Sequence, residues 1–178
     1  MTTSQLIVMA SLYLAAFVAV AWFTRAKLLR IAGAACGGAV FSVVALLAIA
    51  LGQTQSWWRV PMAGSAHFWL LLWLGIAVSC TPVYLLTWRV ARRWGARGLS
   101  VFTLAVAVIG PLRDYLAAAT FPTWITFSPG IAPVLAVATI YALLVVAGHA
   151  VMRMVSGPAQ GDSLARLSAV EKNNTALF

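Results

Sequence analysis

Acidic side chains are close to missing from this sequence. Asp114, Asp162 and Glu171 stand against twelve Lys and Arg in 178 residues, and charged residues make up only 8%. A soluble domain carries roughly 25% charged residues, so a water-facing surface cannot be built from this set. The same shortage excludes a di-metal carboxylate centre and leaves a zinc site short of ligands. Cysteine is almost as scarce: Cys36 and Cys80 each sit inside an apolar run, with no CxxC spacing and no Cys/His cluster. Metal binding and redox exchange therefore have no support, and both cysteines read as small buried hydrophobes. The only histidines are His67 and His149. They fall at opposite ends of different apolar runs, most of a membrane thickness apart, so they cannot clasp one haem iron. No cofactor is expected.

Residues 1–5 hold no Lys or Arg, and the first positive charges follow the first apolar run rather than precede it. That order argues against a cleaved signal peptide, and the first helix is expected to be retained. Lipoprotein processing at Cys36 fails for the same reason, and Gly33 stands where an aliphatic lipobox residue belongs.

What the sequence has in quantity is apolar length. Hydrophobic residues reach 63%, and the mean hydropathy is +0.96. About 20 consecutive apolar residues are needed to span a bilayer core of roughly 30 Å. Runs 6–23, 31–51, 66–88 and 131–152 meet that need without a single Asp, Glu, Lys or Arg. A further run, 99–120, is interrupted by Arg113 and Asp114. Charge topology decides for it. Arg25, Lys27, Arg30, Arg89, Arg92, Arg93, Arg97, Arg153, Arg166 and Lys172 all fall on one side if 99–120 spans, and only Arg59 and Arg113 fall on the other. The net charge of +9 is thus explained by the positive-inside rule, with no call for nucleic acid as a partner.

The expected fold is an all-α integral membrane protein: a compact bundle of five transmembrane helices, N-terminus outside and C-terminus in the cytoplasm. Its transmembrane domain covers residues 1–155, followed by a short cytoplasmic tail, 156–178. Trp22, Trp88 and Trp94 fall near the cytoplasmic boundary, and Trp57, Trp58, Trp69 and Trp124 near the outer one, the depths that amphipathic rings favour. Arg outnumbers Lys ten to two, a hint of a GC-rich genome and nothing more; the expected location is the cytoplasmic (inner) membrane of a bacterium. No repeat of 20 to 50 residues is visible. In the tail, Asp162 is placed to cap a short helix over 163–172.

The main candidate site is Gly110-Pro111-Leu112-Arg113-Asp114-Tyr115. Arg113 lies fourteen residues beyond Leu99, about 21 Å of helix rise, in the outer third of the bilayer. Ionisable groups at that depth usually face a bundle interior or a wet cavity. Pro111 removes a helical donor from the carbonyl of Ala107 and is expected to kink the helix. The competing reading is that Arg113 snorkels to outer headgroups while Asp114 pairs with it or caps the next turn. Adjacent helical residues point about 100° apart, so separate partners are also open, Arg59 being one for Asp114.

A second candidate is the pair His149 and Arg153, four apart on one face. A proton relay is one reading. A neutral His bonded to a neighbouring helix, with Arg153 at the headgroups, is the plainer one. On the third span Trp69, Trp73, Tyr84 and Trp88 form an aromatic stripe, which suits a groove for lipid, quinone or pigment but is more often ordinary packing. Gly33-x-x-x-Gly37 followed by Gly38 permits close helix approach, within or between chains. Outside the spans, segments 53–65 (with Trp57, Trp58 and Arg59) and 121–133 (with Trp124) should build the most structured non-helical part of the molecule, the first place to expect a ligand or partner.

The Trp-rich spans resemble in outline the small bacterial membrane receptors of the tryptophan-rich sensory type. No stretch carries their Trp/Pro motifs, so no function or residue role is carried over. Small size and the lack of a polar catalytic set favour a non-catalytic accessory or structural subunit of a larger membrane complex, in contact with lipids and with other subunits or copies of itself. A small oligomeric transporter or channel is the alternative, with Arg113, Asp114 and His149 along the path and only Ser42, Ser79, Thr81 and Thr103 between them. An intramembrane enzyme or binding protein for a lipid, quinone or prenyl ligand is the third reading, and three carboxylates leave it little to work with.

Overall fold

The computed structural model describes residues 3–61 and 68–158. In chain order it comprises α1 (Thr3–Thr24), α2 (Leu28–Thr54), β1 (Trp58–Arg59), α3 (Phe68–Thr120), β2 (Thr126–Phe127) and α4 (Ile131–Ser156). The capped tail helix and His67 lie outside the described residues. The chain is mostly helical. α2, α3 and α4 are long and apolar enough to cross a membrane, and the described apolar stretch of α1 is Ser11–Thr24.

At 53 residues, α3 would be about 80 Å long if straight, far more than a bilayer core of roughly 30 Å. It is not straight. Phe68, at its start, packs with Trp58, Val60 and Val137. Tyr115, near its end, stacks on Phe127 at 4.3 Å. The strands holding Trp58 and Phe127 are paired, so both ends of α3 reach the same place. The reversal is at Gly95, with φ 62° and ψ −147°, the only non-helical dihedrals inside the helix. That region of backbone space is open essentially to glycine alone. The stretch 89–98, expected as a basic loop, is therefore helix on both sides of a single broken residue. Arg is a good helix former, so the basic residues extend the helices instead of ending them. α3 also passes through Pro82 and Pro111, both with helical dihedrals.

α2, α4 and the first arm of α3 (68–94) meet through glycine. A Cβ on Gly37 would lie 2.7 Å from the carbonyl oxygen of Gly148, and one on Gly38 would lie 2.4 Å from that of Ala77. Backbones this close need small residues, because dispersion and not hydrophobicity holds helices together in lipid. The Gly33/Gly37/Gly38 face thus serves contacts within the chain. Tyr84 fills the middle of the junction at 0% exposure, among Ala34, Phe41, Leu85, Leu144, Val145 and Met152. Of the aromatic stripe expected on 66–88, Tyr84 and Trp88 are buried in the core, while Trp69 and Trp73 are half-buried.

α1 and α2 both end without the usual glycine. Arg25 (φ 50°) and Ser56 (φ 57°) take the left-handed position. The amides of Ala26 and Trp57 bond back to the carbonyls of Ala21 and Gly52, closing Schellman turns. One end of the molecule gathers Arg25, Lys27, Arg30, Arg89, Arg92, Arg93, Arg97 and Arg153. There Arg30 Nη1 donates to the Gly157 carbonyl at 3.0 Å, tying the start of α2 to the end of α4. Arg89 Nη1 donates to the Phe23 carbonyl at 3.1 Å. The opposite end carries the β1–β2 pair.

Candidate functional site

Arg113 and Asp114 lie on the second arm of α3, one turn beyond the buried Gly110-Pro111 pair. They take each other. Nε and Nη2 of Arg113 donate to Asp114 Oδ1 at 3.0 and 2.7 Å. The arginine stem is long enough that a 100° separation at Cα does not keep the head groups apart. The third member is Tyr141 of α4. Its hydroxyl donates to Asp114, lying 3.0 and 3.1 Å from the two carboxylate oxygens. The same hydroxyl accepts from Arg113 Nη2, and the guanidinium carbon lies 5.4 Å from the tyrosine ring centre. The triangle is neutral as a whole, which lowers the cost of holding charge away from water. Arg59 as the partner of Asp114 is thereby corrected: it lies on β1 opposite Thr126.

Glycine makes the triangle possible. A Cβ on Gly110 would fall 2.3 Å from the Tyr141 ring, so only a residue without a side chain lets that ring lie flat enough to reach Asp114. The Asp114 side chain is 28% exposed and that of Arg113 61%. The outer side of the guanidinium thus faces whatever surrounds the helices, and it can receive a phosphate, a carboxylate or a carbonyl.

Next to the triangle stands an aromatic platform. Trp58 is buried, with its indole in the notch at Gly52, where a Cβ would lie 1.9 Å from the ring. Its Nε1 donates to the Ile49 carbonyl at 2.9 Å. Trp57 and Phe127 each approach Trp58 at 6.0 Å between ring centres. Trp124 stacks on Phe121 at 4.9 Å. The two outer segments are bound together by the two-residue ladder, by Ser128 N to the Trp57 carbonyl at 2.9 Å, and by Ser128 Oγ to the Ser56 carbonyl. Tyr115, Arg113 and Asp114 therefore share one end of the molecule with Trp57, Trp58, Arg59 and Trp124.

His149 and Arg153 do not join them. His149 is eight residues beyond Tyr141 on α4, about 12 Å further toward the basic end. It is buried at 3% exposure, and its Nδ1 lies 2.9 Å from Thr87 Oγ1 on α3. The Thr87 hydroxyl also donates to the Tyr84 carbonyl at 2.9 Å. With its one proton used there, the oxygen accepts from the histidine, which puts the ring proton on Nδ1. Arg153 lies in the last turn of α4, its carbonyl accepting from Gly157 N at 2.8 Å. The guanidinium carbons of Arg30 and Arg92 lie 4.5 and 5.8 Å from the centre of the Trp88 ring.

The hydroxyls of the bundle centre are turned inward to their own helices. Ser42, Ser79, Thr81 and Thr103 donate to the carbonyls of Ala39, Ile76, Ala77 and Leu99 at 2.8 to 3.0 Å. These protons satisfy backbone and do not line a polar path. Among the described residues no three His, Cys, Asp or Glu side chains converge as metal ligands.

Tyr141 and Thr87 are neighbours of the candidate residues that sequence reasoning did not name as site residues, whereas Gly110 opened the candidate run. The usable signal was chemical oddity: Tyr141 and His149 interrupt the largely apolar run 131–152. The chain is a helical membrane protein by the length and apolarity of its helices. Compared with known proteins, it matches no family model, no curated protein and no solved structure.

Proposed function

We propose that this chain crosses the bacterial cytoplasmic membrane five times, N-terminus outside, and serves as a non-catalytic accessory or structural subunit of a larger membrane complex. Two features support the crossing number and direction. α3 reverses at Gly95 into two arms, each long enough to span. The basic residues gather at one end, the side that the positive-inside rule assigns to the cytoplasm.

The observation that carries the subunit role is the open face of α1. This helix packs on the bundle through Phe17, Val20 and Ala21. Its other side exposes Ser11, Ala15 and Ala19 at every fourth position, flanked by Leu14, Val18 and Trp22, around an outward groove of about 520 Å3. Small residues at that spacing let a second helix approach closely, where dispersion and weak polar contacts replace hydrophobicity. The half-exposed Arg113–Asp114–Tyr141 triangle offers a polar anchor to the same kind of partner. The turned-in hydroxyls of the bundle centre favour this reading over transport through a single copy.

The test is extraction in mild detergent followed by identification of bound polypeptides, in the native chain and in Ala15→Leu. Filling the groove should release partner chains while leaving the monomer folded. A monodisperse homo-oligomer that conducts solute in liposomes would overturn the subunit role and favour a transporter.

A further inference from the structure

The second arm of α3 leaves the Gly95 break with an outward groove of about 600 Å3, whose walls include Trp94, Arg97, Gly98, Val101, Phe102 and Ala105. Gly98 gives it depth: a Cβ there would fall 2.4 Å from the Cβ of Trp94. Trp94 and Val101 are 57% and 70% exposed, so the groove faces the surroundings of the bundle. Its chemistry is graded along the helix. At the mouth stand Arg97 and, with its guanidinium 5.1 Å over the Trp94 ring, Arg93. From Arg97 to Ala105 the helix rises about 12 Å into purely apolar wall.

Charge at the mouth has one sign. Arg25, Lys27, Arg30, Arg89, Arg92 and Arg153 share this end, and among the described residues no carboxylate does. A positive mouth at interfacial depth above an apolar slot is complementary to one amphiphile. We propose that the groove is a binding site for a single anionic phospholipid, with its phosphate on Arg97 and an acyl chain along Gly98, Val101, Phe102 and Ala105. A zwitterionic lipid offers the same phosphate but brings a cation that Arg97 and Arg93 at the mouth repel, so these two local charges favour the anionic lipid. Only the assignment to the cytoplasmic leaflet rests on the orientation proposed above; occupancy of the groove does not.

The test is native mass spectrometry of the delipidated protein in detergent, titrated with phosphatidylglycerol or phosphatidylcholine of equal chain length. The native chain should retain one phosphatidylglycerol about tenfold more tightly than phosphatidylcholine. Arg97→Gln should remove that preference, and Ala105→Phe, which fills the apolar end, should weaken both lipids. Arg25→Gln, a charge loss outside the groove, should change neither. Equal retention of the two lipids by the native chain, equal losses in R97Q and R25Q, or native-like binding by A105F would each overturn the site. Size-exclusion profiles identify a misfolded variant. For R97Q, Arg97→Lys is then the second measurement, expected to keep the anionic preference. Leaflet assignment is tested apart, by cysteine labelling from each side of the membrane.

Discussion

Replacing Gly148 by alanine adds one methyl group, at the most crowded point of the bundle. An ideal Cβ there lies 2.0 Å from Cζ of Tyr84 and 2.2 Å from its Cε1 and Oη. The ring has nowhere to go: it is fully buried, and a Cβ on Gly37 of α2 would already lie 3.2 Å from its Cδ2. Overpacking of a filled core costs about 1–3 kcal/mol, and a contact this short belongs at the upper end. The helix itself prefers alanine by about 1 kcal/mol, so the net loss should be about 2 kcal/mol. Gly75→Ala is the internal reference. Nothing lies within 4 Å of a Cβ at that position, and only the propensity gain of about 1 kcal/mol remains. The two variants should therefore differ by about 3 kcal/mol in reversible unfolding by denaturing detergent from mixed micelles.

A double-mutant cycle identifies the cause. Tyr84→Ala alone should cost about 3–5 kcal/mol, as large-to-small changes of buried aromatics do. In that background Gly148→Ala has no ring to strike and keeps only the propensity gain of about 1 kcal/mol, a coupling of about 3 kcal/mol between the two sites. If G148A and G75A unfolded within about 0.5 kcal/mol of each other, the glycine junction would not be what holds α3 against α4.

Three further outcomes follow from the same geometry. Thr87→Val keeps the volume but leaves the buried Nδ1–H of His149 without its acceptor, and should cost about 1–3 kcal/mol; Thr87→Ser should restore most of it, read by thermal unfolding in detergent. Gly95→Ala forces a side chain into dihedrals that only glycine tolerates and should cost about 1–3 kcal/mol, read by the same thermal unfolding. Tyr141→Phe keeps the ring over Gly110 but removes the bonds to Asp114 and Arg113, and should cost about 1 kcal/mol in the same unfolding assay, reduced from the value for a buried charged partner because the triangle is half open.

The sequence by itself determined the solvent in which this chain folds. Too few charges for a water-facing surface, long uncharged runs and a one-sided distribution of arginine are properties of composition and order, and they hold however the helices are rotated. It also marked the positions of close approach, because glycine at Gly33, Gly37 and Gly38 records a need for space. What it did not contain was the identity of whatever fills that space. Only the tertiary structure turned that face toward Gly148 and Ala77, set Tyr141 on Asp114 in place of Arg59, brought Thr87 to His149, and reversed α3 at Gly95 where the basic residues suggested a loop. The physical reason is common to all four. Hydropathy and spacing are sums along one chain segment, whereas a partner across two helices depends on their relative rotation and depth. Those are fixed jointly by packing, and no single segment encodes them.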